Sequence, residues 1–368
     1  MHCPTGAIKV RAGVGEEGYI SPCQKACPAG INVSGYIALA AAGRYEDSYR
    51  LIRRGNPFPS VCGRICTHNC QSECNRNNYD SSVAIRDIKR FVADKAFKMG
   101  IKLENVWPLN GKRVGIIGAG PSGLTAAYYL ALSGYTVDVY DSAPVAGGVL
   151  AFGIPKWRLP KDVIEREVKA IEVVGVKIHL NSPVTAENAA SIEADTVLVC
   201  TGAEPLVPNI PGIDGANVKK AQDVLLGKAE VKGDVVICGG GQVGVETALE
   251  LIERGHKITI VEMLPDLILK EELMTRIVMM KKLAAAGVNI LCSHSVTAFT
   301  DSGVEVEDMK TGEKKTLEGD VVIAFGTKPV AAVKELFPDK EVMVIGDART
   351  PDTITSAIHD GFFAALDI

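Results

Sequence analysis

The 368 residues are 47% hydrophobic and 23% charged with a formal net charge of −4, apolar enough to fill two or three large cores. No apolar run approaches the roughly 18 residues that cross a bilayer, and no basic-then-apolar leader opens the chain. The charges do not gather into the long single-sign blocks of nucleic-acid or membrane-surface binders, so a globular, cytoplasmic protein is expected.

Seven of the ten cysteines fall in the first 74 residues: Cys3, Cys23, Cys27, Cys62, Cys66, Cys70 and Cys74, the last four at every fourth position. In a reducing cytoplasm such crowding points to metal-bound thiolates rather than disulfides. Four soft thiolates suit a [4Fe–4S] cluster and also suit zinc. The choice between them turns on whether the same chain carries a one-electron partner. Helical patterning covers 34–54 and 83–98, where Ile88, Phe91 and Val92 recur at helical spacing. Between Arg44 and Lys98 stand 11 Lys or Arg and 6 Asp or Glu. Solvated helix faces explain that excess; a docking face or a counter-charge to an anionic cluster is the alternative. Asn105 to Asn110, with Trp107-Pro108, is expected to link this segment, 1–110, to the next domain.

Two glycine-rich turns follow, 121 residues apart, each G-x-G-x-x-G with an acid 23 residues after its first glycine: Gly118, Gly120 and Gly123 with Asp141, then Gly239, Gly241 and Gly244 with Glu262. Each turn lies between a short apolar run (Arg113–Ile117, Asp234–Cys238) and a helix-like stretch (Leu124–Leu132, Val245–Arg254). A second strand (Val137–Tyr140, Lys257–Val261) then leads to the acid. In such a unit the glycines let the backbone approach a pyrophosphate, the helix N-terminus stabilises its charge, and the acid accepts from a ribose. Two copies predict two dinucleotides. The repeat continues, because Val173–Val184 echoes Ala285–Val296 and Asp195–Ala203 echoes Asp320–Thr327, so a whole domain is duplicated.

With these residues the chain resembles flavoproteins built from two dinucleotide-binding domains, the first for FAD and the second for NAD(P)H. In that class the FAD domain is interrupted by the NAD(P) domain and completed by a Gly-Asp pair, which Gly346-Asp347 matches. The resemblance implies an α/β fold of two Rossmann-like domains behind an α-helical Fe–S domain: FAD at 111–215 and 326–368, NAD(P)H at 216–325. It assigns Gly118, Gly120, Gly123, Asp141, Gly148, Gly346 and Asp347 to FAD, and Gly239, Gly241, Gly244 and Glu262 to the nicotinamide cofactor. The carboxylate of Glu262 would repel a 2′-phosphate, so NADH is expected, although Arg254 and Lys257 lie nearby.

Cys23–Pro28, Asn56–Cys66, Cys70, Cys74 and Val83–Phe91 resemble the N-terminal domain of the glutamate synthase small-subunit family, as does Gly147–Pro160 beside the flavin. That family's pattern puts Cys27, Cys66 and Cys70 on one cluster and Cys23 and Cys74 on another. Here the upstream Cys-x-x-Cys is replaced by Gly15–Pro22, and the expected polar fourth ligand falls near Lys89, an ammonium that cannot bind iron while protonated. One cluster is therefore expected, on Cys27, Cys66 and Cys70, with Cys62 the natural fourth ligand. Cys3-Pro4 through Ile8 resembles the end of a ferredoxin-type motif whose other cysteines would precede residue 1. The NAD domain and the C-terminus resemble those of enoate reductases, without their barrel.

Cys200, Cys238 and Cys292 end apolar strands as buried structural thiols. The lack of a Cys-x-x-Cys or Cys-x4-Cys in either nucleotide domain argues against a thioredoxin-reductase or lipoamide-dehydrogenase type of dithiol mechanism. No histidine is given a proton-transfer role, because hydride transfer to flavin needs a stacked nicotinamide rather than a base. The expectation is an electron-transfer subunit moving electrons between NAD(H), FAD and a [4Fe–4S] cluster, to or from a partner: an aldehyde or formate oxidoreductase, a glutamate synthase large subunit, or ferredoxin. A stand-alone reductase of a small molecule and a non-catalytic zinc and nucleotide-binding adaptor are the competing readings.

Overall fold

A computed structural model of the chain describes residues 20–101, 107–269, 271 and 273–368. The Cys3-Pro4 motif, most of the Gly15–Pro22 replacement and Asn105 of the expected linker lie outside them. Six helices come first: α1 (Pro22–Lys25), α2 (Val33–Ala41), α3 (Tyr45–Arg53), α4 (Pro59–Ile65), α5 (Asn69–Ser72) and α6 (Ile85–Lys98). The helical pattern over 34–54 resolves into two helices, because Gly43 at φ +74° ends α2 in a left-handed turn. Ile31, Val33, Tyr36, Ile52, Val92 and Ala96 form the shared core. The Tyr36 hydroxyl donates to the Ile85 carbonyl at 3.1 Å, tying α2 to α6.

Next come β1 (Arg113–Ile117), α7 (Pro121–Leu132), β2 (Thr136–Tyr140), α8 (Val149–Phe152), α9 (Lys161–Glu172), β3 (Lys177–His179) and β4 (Thr196–Val199). The second half runs through β5 (Ala203–Pro205), β6 (Val218–Lys220), α10 (Ala221–Leu225), β7 (Val235–Cys238), α11 (Gln242–Glu253), β8 (Ile258–Glu262), α12 (Leu273–Ala285) and β9 (Asn289–Cys292). It continues with β10 (His294–Thr300), β11 (Gly303–Asp308), β12 (Lys314–Glu318), β13 (Asp320–Ile323) and β14 (Thr327–Pro329), before β15 (Glu341–Val344) and α13 (Ile354–Asp367) end the chain.

The chain divides into two compact units, the first through Ala151 with Lys156–Gly202 and Pro329–Ile368, the second Phe152–Pro155 with Ala203–Lys328. Each holds a five-stranded parallel sheet, ordered β3-β2-β1-β4-β15 in the first and β9-β8-β7-β13-β6 in the second. Nearly continuous apolar runs such as Thr196–Val199 and Val235–Cys238 are buried along their length, as strands covered on both faces must be. The edge held by β15 in the first sheet is held in the second by β6. Both sheets reverse strand order beside their central strand, β1 or β7, the topological switch point at which open α/β sheets bind their ligands.

The antiparallel sheet β10-β11-β12 was not foreseen. Its signal is the alternation in Gly303–Asp308, where Val304 and Val306 are buried, and the turn at Gly312 with φ +74°. Trp107 and Asn110 of the expected linker donate backbone hydrogen bonds to Leu132 and Gly134, so this stretch is fastened to the end of α7. Among the described residues no helix is long and apolar enough to cross a membrane.

Candidate cofactor sites

In the first unit, Gly118 at φ +112° closes the turn after β1. A Cβ there would run into the Cys200 carbonyl oxygen, and one on Gly123 into the Gly118 carbonyl oxygen. These two glycines are therefore demanded by the protein's own packing. Gly120 differs: its Cβ would find only the Gly148 Cα, at 4.0 Å, so the turn's mouth is an open cradle bounded by glycine on both sides. The start of α7 at this turn is the kind of helix N-terminus that can hold an anion. Asp141 accepts from the Ala119 amide at 2.7 Å and the Ala143 amide at 2.8 Å, which pins the turn and orients the carboxylate.

The second unit repeats this construction. Gly239 has φ +114°, a Cβ on it would strike the Ala324 carbonyl oxygen, one on Gly244 would strike the Gly239 carbonyl oxygen, and one on Gly241 would meet nothing within 4 Å. Glu262 accepts from the Gly240 amide at 2.5 Å and the Leu264 amide at 2.7 Å. In both copies the acid has a second task that the sequence pattern does not reveal: it holds the middle amide of the glycine turn.

Gly346 and Asp347 lie just before α13 in the first unit. Gly346 has φ +61°, its Cβ would collide with the Ser122 hydroxyl, and its amide donates to Asp360 at 3.0 Å. Asp347 accepts from the Asp352 amide at 3.2 Å, and burial pushes its carboxyl above the ordinary range.

Cys27, Cys62, Cys66 and Cys70 line one cavity with Lys89, and Thr355 and Ile358 of α13 contribute to its wall. The four-residue spacing sets Cys62 and the C-cap Cys66 one turn apart on α4. His68, left-handed at φ 45°, then reverses the chain so that α5 returns Cys70, and its amide donates to the Cys66 sulfur at 3.2 Å. Cys23 instead lies 3.2 Å from the Ser21 hydroxyl, and Cys74 is buried ahead of a single helical turn; neither lines the cavity. Burial pushes the Cys62 and Cys70 thiols up to about 12, with Lys89 pulling each down. Burial opposes the charge on Lys89, yet the surrounding thiols hold its ammonium above the ordinary value.

Among the described residues no group of three or more His, Cys, Asp or Glu side chains converges on a single-ion position. Four cysteines around a cavity fit a cluster that takes one thiolate per iron. The glycine cradles likewise fit dinucleotides. All described cysteines are free. Burial raises the thiols of Cys200 and Cys238 well above their ordinary value, whereas Cys292, expected to be buried, is half-exposed at the end of an outer strand.

Residues 112–342 match the family model described as pyridine nucleotide-disulphide oxidoreductase, and residues 17–101 match the one described as dihydropyrimidine dehydrogenase domain II, 4Fe-4S cluster. The chain is 36% identical over 273 residues to the NADP(+)-dependent formate dehydrogenase subunit beta of Moorella thermoacetica, with 64% of this chain and 38% of that protein aligned. It is 30% identical over 319 residues to the NAD-dependent dihydropyrimidine dehydrogenase subunit PreT of Escherichia coli O157:H7, covering 82% of this chain and 75% of that one. A solved 2-naphthoyl-CoA reductase complex superposes with a TM-score of 0.67 at 27% identity, over 72% of this chain and 41% of that structure. The chain thus spans well under half the length of the formate dehydrogenase subunit it matches. From its paired glycine turns, its cysteine-lined cavity and these matches, the chain belongs to the pyridine nucleotide-disulphide oxidoreductase family and carries a 4Fe–4S domain of the dihydropyrimidine dehydrogenase type.

Proposed function

We propose that the chain is an electron-transfer subunit of a cytoplasmic multisubunit oxidoreductase, relaying electrons between NADH, FAD and a [4Fe–4S] cluster and exchanging them with a partner subunit or ferredoxin. The supporting observation is that α13 serves two sites in one compact unit. Gly346-Asp347 precedes it at the FAD turn, and its own Thr355 and Ile358 wall the cysteine cavity. When bound, flavin supplies the conversion between the paired electrons of a nicotinamide and the single electrons of a cluster.

The residues divide the work. Gly118, Gly120, Gly123 and Gly148 shape the FAD pyrophosphate cradle, Asp141 orients toward its ribose, and Gly346 and Asp347 close the site. Gly239, Gly241 and Gly244 do the same for NADH, with Glu262 excluding a 2′-phosphate. Cys27, Cys62, Cys66 and Cys70 hold the cluster. The three domains divide at 1–110, 111–215 with 326–368, and 216–325. The relatives' printed names, a formate dehydrogenase subunit beta and a dihydropyrimidine dehydrogenase subunit, favour a partner that carries the organic substrate.

The test is anaerobic reduction of the purified chain by NADH, followed by flavin absorbance and by electron paramagnetic resonance. Wild type should bleach its flavin and develop a reduced-cluster signal, whereas Cys66→Ser should bleach without the signal. A Cys66→Ser protein that still delivers electrons to the copurified partner at the wild-type rate would remove the cluster from the route.

A further inference from the structure

The buried face of α6 reads Ile85, Lys89, Val92, Ala93 and Ala96, so a lysine occupies a core register otherwise filled by apolar side chains. Lys89 is 6% exposed and lines the cavity with the four cysteines. Among the described residues no carboxylate lies within ion-pair distance of it. Asp94, one turn further along α6, is taken by Arg64 at 2.8 Å and Arg166 at 2.5 Å. A buried ammonium without a counter-anion is costly, and such groups persist where an opposite charge faces them. The groups whose charge reaches Lys89 are Cys66, Cys62, Cys27 and Cys70.

We propose that Lys89 is the built-in counter-cation of the iron–sulfur cluster, a positioning residue that raises the cluster's midpoint potential. The inference rests on the reading that this cavity holds the cluster. A cuboid cluster on four thiolates is doubly negative when oxidised and triply negative once it has accepted an electron. A fixed cation beside it stabilises the second state more than the first. Lys89 therefore makes the cluster a better electron acceptor, and it explains why an ammonium stands where a ligand was expected.

The experiment compares the full-length wild type, Lys89→Leu and Lys89→Arg, purified anaerobically, for iron per flavin and for midpoint potential in a resonance-monitored redox titration. Lys89→Leu should keep its iron while the ratio of reduced to oxidised cluster, poised at the wild-type midpoint, falls at least tenfold, a shift of about 59 mV for one electron. Lys89→Arg should stay within about threefold of wild type, since it keeps the charge. Loss of iron from the leucine variant with retention in the arginine variant also supports the proposal. An unshifted Lys89→Leu midpoint overturns it, as do equal shifts, or equal loss of iron, in both variants. If the wild type itself lacks iron, the cluster reading fails first, and the proposal with it.

Discussion

Glu167 on α9 is 4% exposed, and its carboxyl oxygens accept from the Ser60 amide at 2.6 Å and the Val61 amide at 3.1 Å. These are among the unpaired donors at the start of α4, the helix that carries Cys62 and ends at Cys66. Burial, the strongest influence, raises the carboxyl from 4.5 to about 7, against the pull of the Ser60 amide, Arg53, the Val61 amide and Arg166. The folded chain thus holds this proton more tightly than the unfolded chain does. The stability contributed by the group is complete below its unfolded value and is lost as the pH rises through the folded one. At about 1.4 kcal/mol per pH unit the loss amounts to roughly 3 kcal/mol. Glu167→Gln keeps one oxygen acceptor and cannot ionise. It should unfold in urea within about 1 kcal/mol of wild type near pH ~5, and be more stable by up to about 3 kcal/mol near pH ~8. Glu167→Ala, which orphans both amides, should lose about 2–4 kcal/mol near pH ~5. Far-UV dichroism of the full chain across urea at both pH values measures this. A glutamine variant weaker than wild type at the higher pH would refute the reasoning, since the ionised carboxylate's bonds to α4 would then outweigh the cost of its burial.

Four further substitutions separate packing from ligand binding. Gly241→Ala adds a methyl that meets no protein atom, so unfolding should not move while NADH affinity, measured by titration calorimetry, drops at least about tenfold, or ~1.4 kcal/mol. Gly244→Ala forces its methyl into the Gly239 carbonyl and should cost about 2–3 kcal/mol of stability before any cofactor is added. Glu262→Arg should lower the ratio of kcat/KM for NADH over NADPH by at least about tenfold; equal use of both by the wild type would count against the assignment. Gly346→Ala, at φ +61° and against Ser122, should purify with depleted FAD, and a full flavin complement would show that this corner is not part of the site.

Both nucleotide-binding sheets were legible because their signals are local: an apolar run, a glycine turn, a helix and an acid at fixed spacing each constrain the next element. What stayed hidden depends on partners distant in sequence. Nothing near Gly118 announces the Cys200 carbonyl that forbids a side chain there, and nothing near Ser60 announces Glu167, 107 residues away. The crowding of cysteines was plain, and the family resemblance, rather than spacing, pointed to the four that line the cavity. The fourfold spacing alone would admit Cys74, and the fold sets it apart because α5 ends at Ser72 and Cys74 starts the next helical turn, off the cavity lining. Lys89 drew attention in the sequence as a misfit at a ligand position. Its burial among four cysteines required the packing of α6 on α4.

The close approach of α13 to α7 explains how one short helix reaches two sites. Ala357, Gly361 and Ala365 recur at four-residue intervals on its buried face. At Gly361 the helices come so near that a Cβ would meet the Ser122 carbonyl, the Thr125 side chain at 2.9 Å and the Ala126 amide at 3.0 Å. Small residues at this period let two backbones pack directly, and Phe362 against Tyr129, centroids 4.7 Å apart and nearly perpendicular, fixes the rotation of α13. With that rotation set, Thr355 and Ile358 emerge on the cysteine cavity while the residues before the helix stay at the glycine turn. Any larger residue at 361 would push α13 away from both places at once. The spacing between the glycine turn and the cysteine cavity is therefore set by backbone packing rather than by flexible side chains, which suits the proposed relay between two fixed centres.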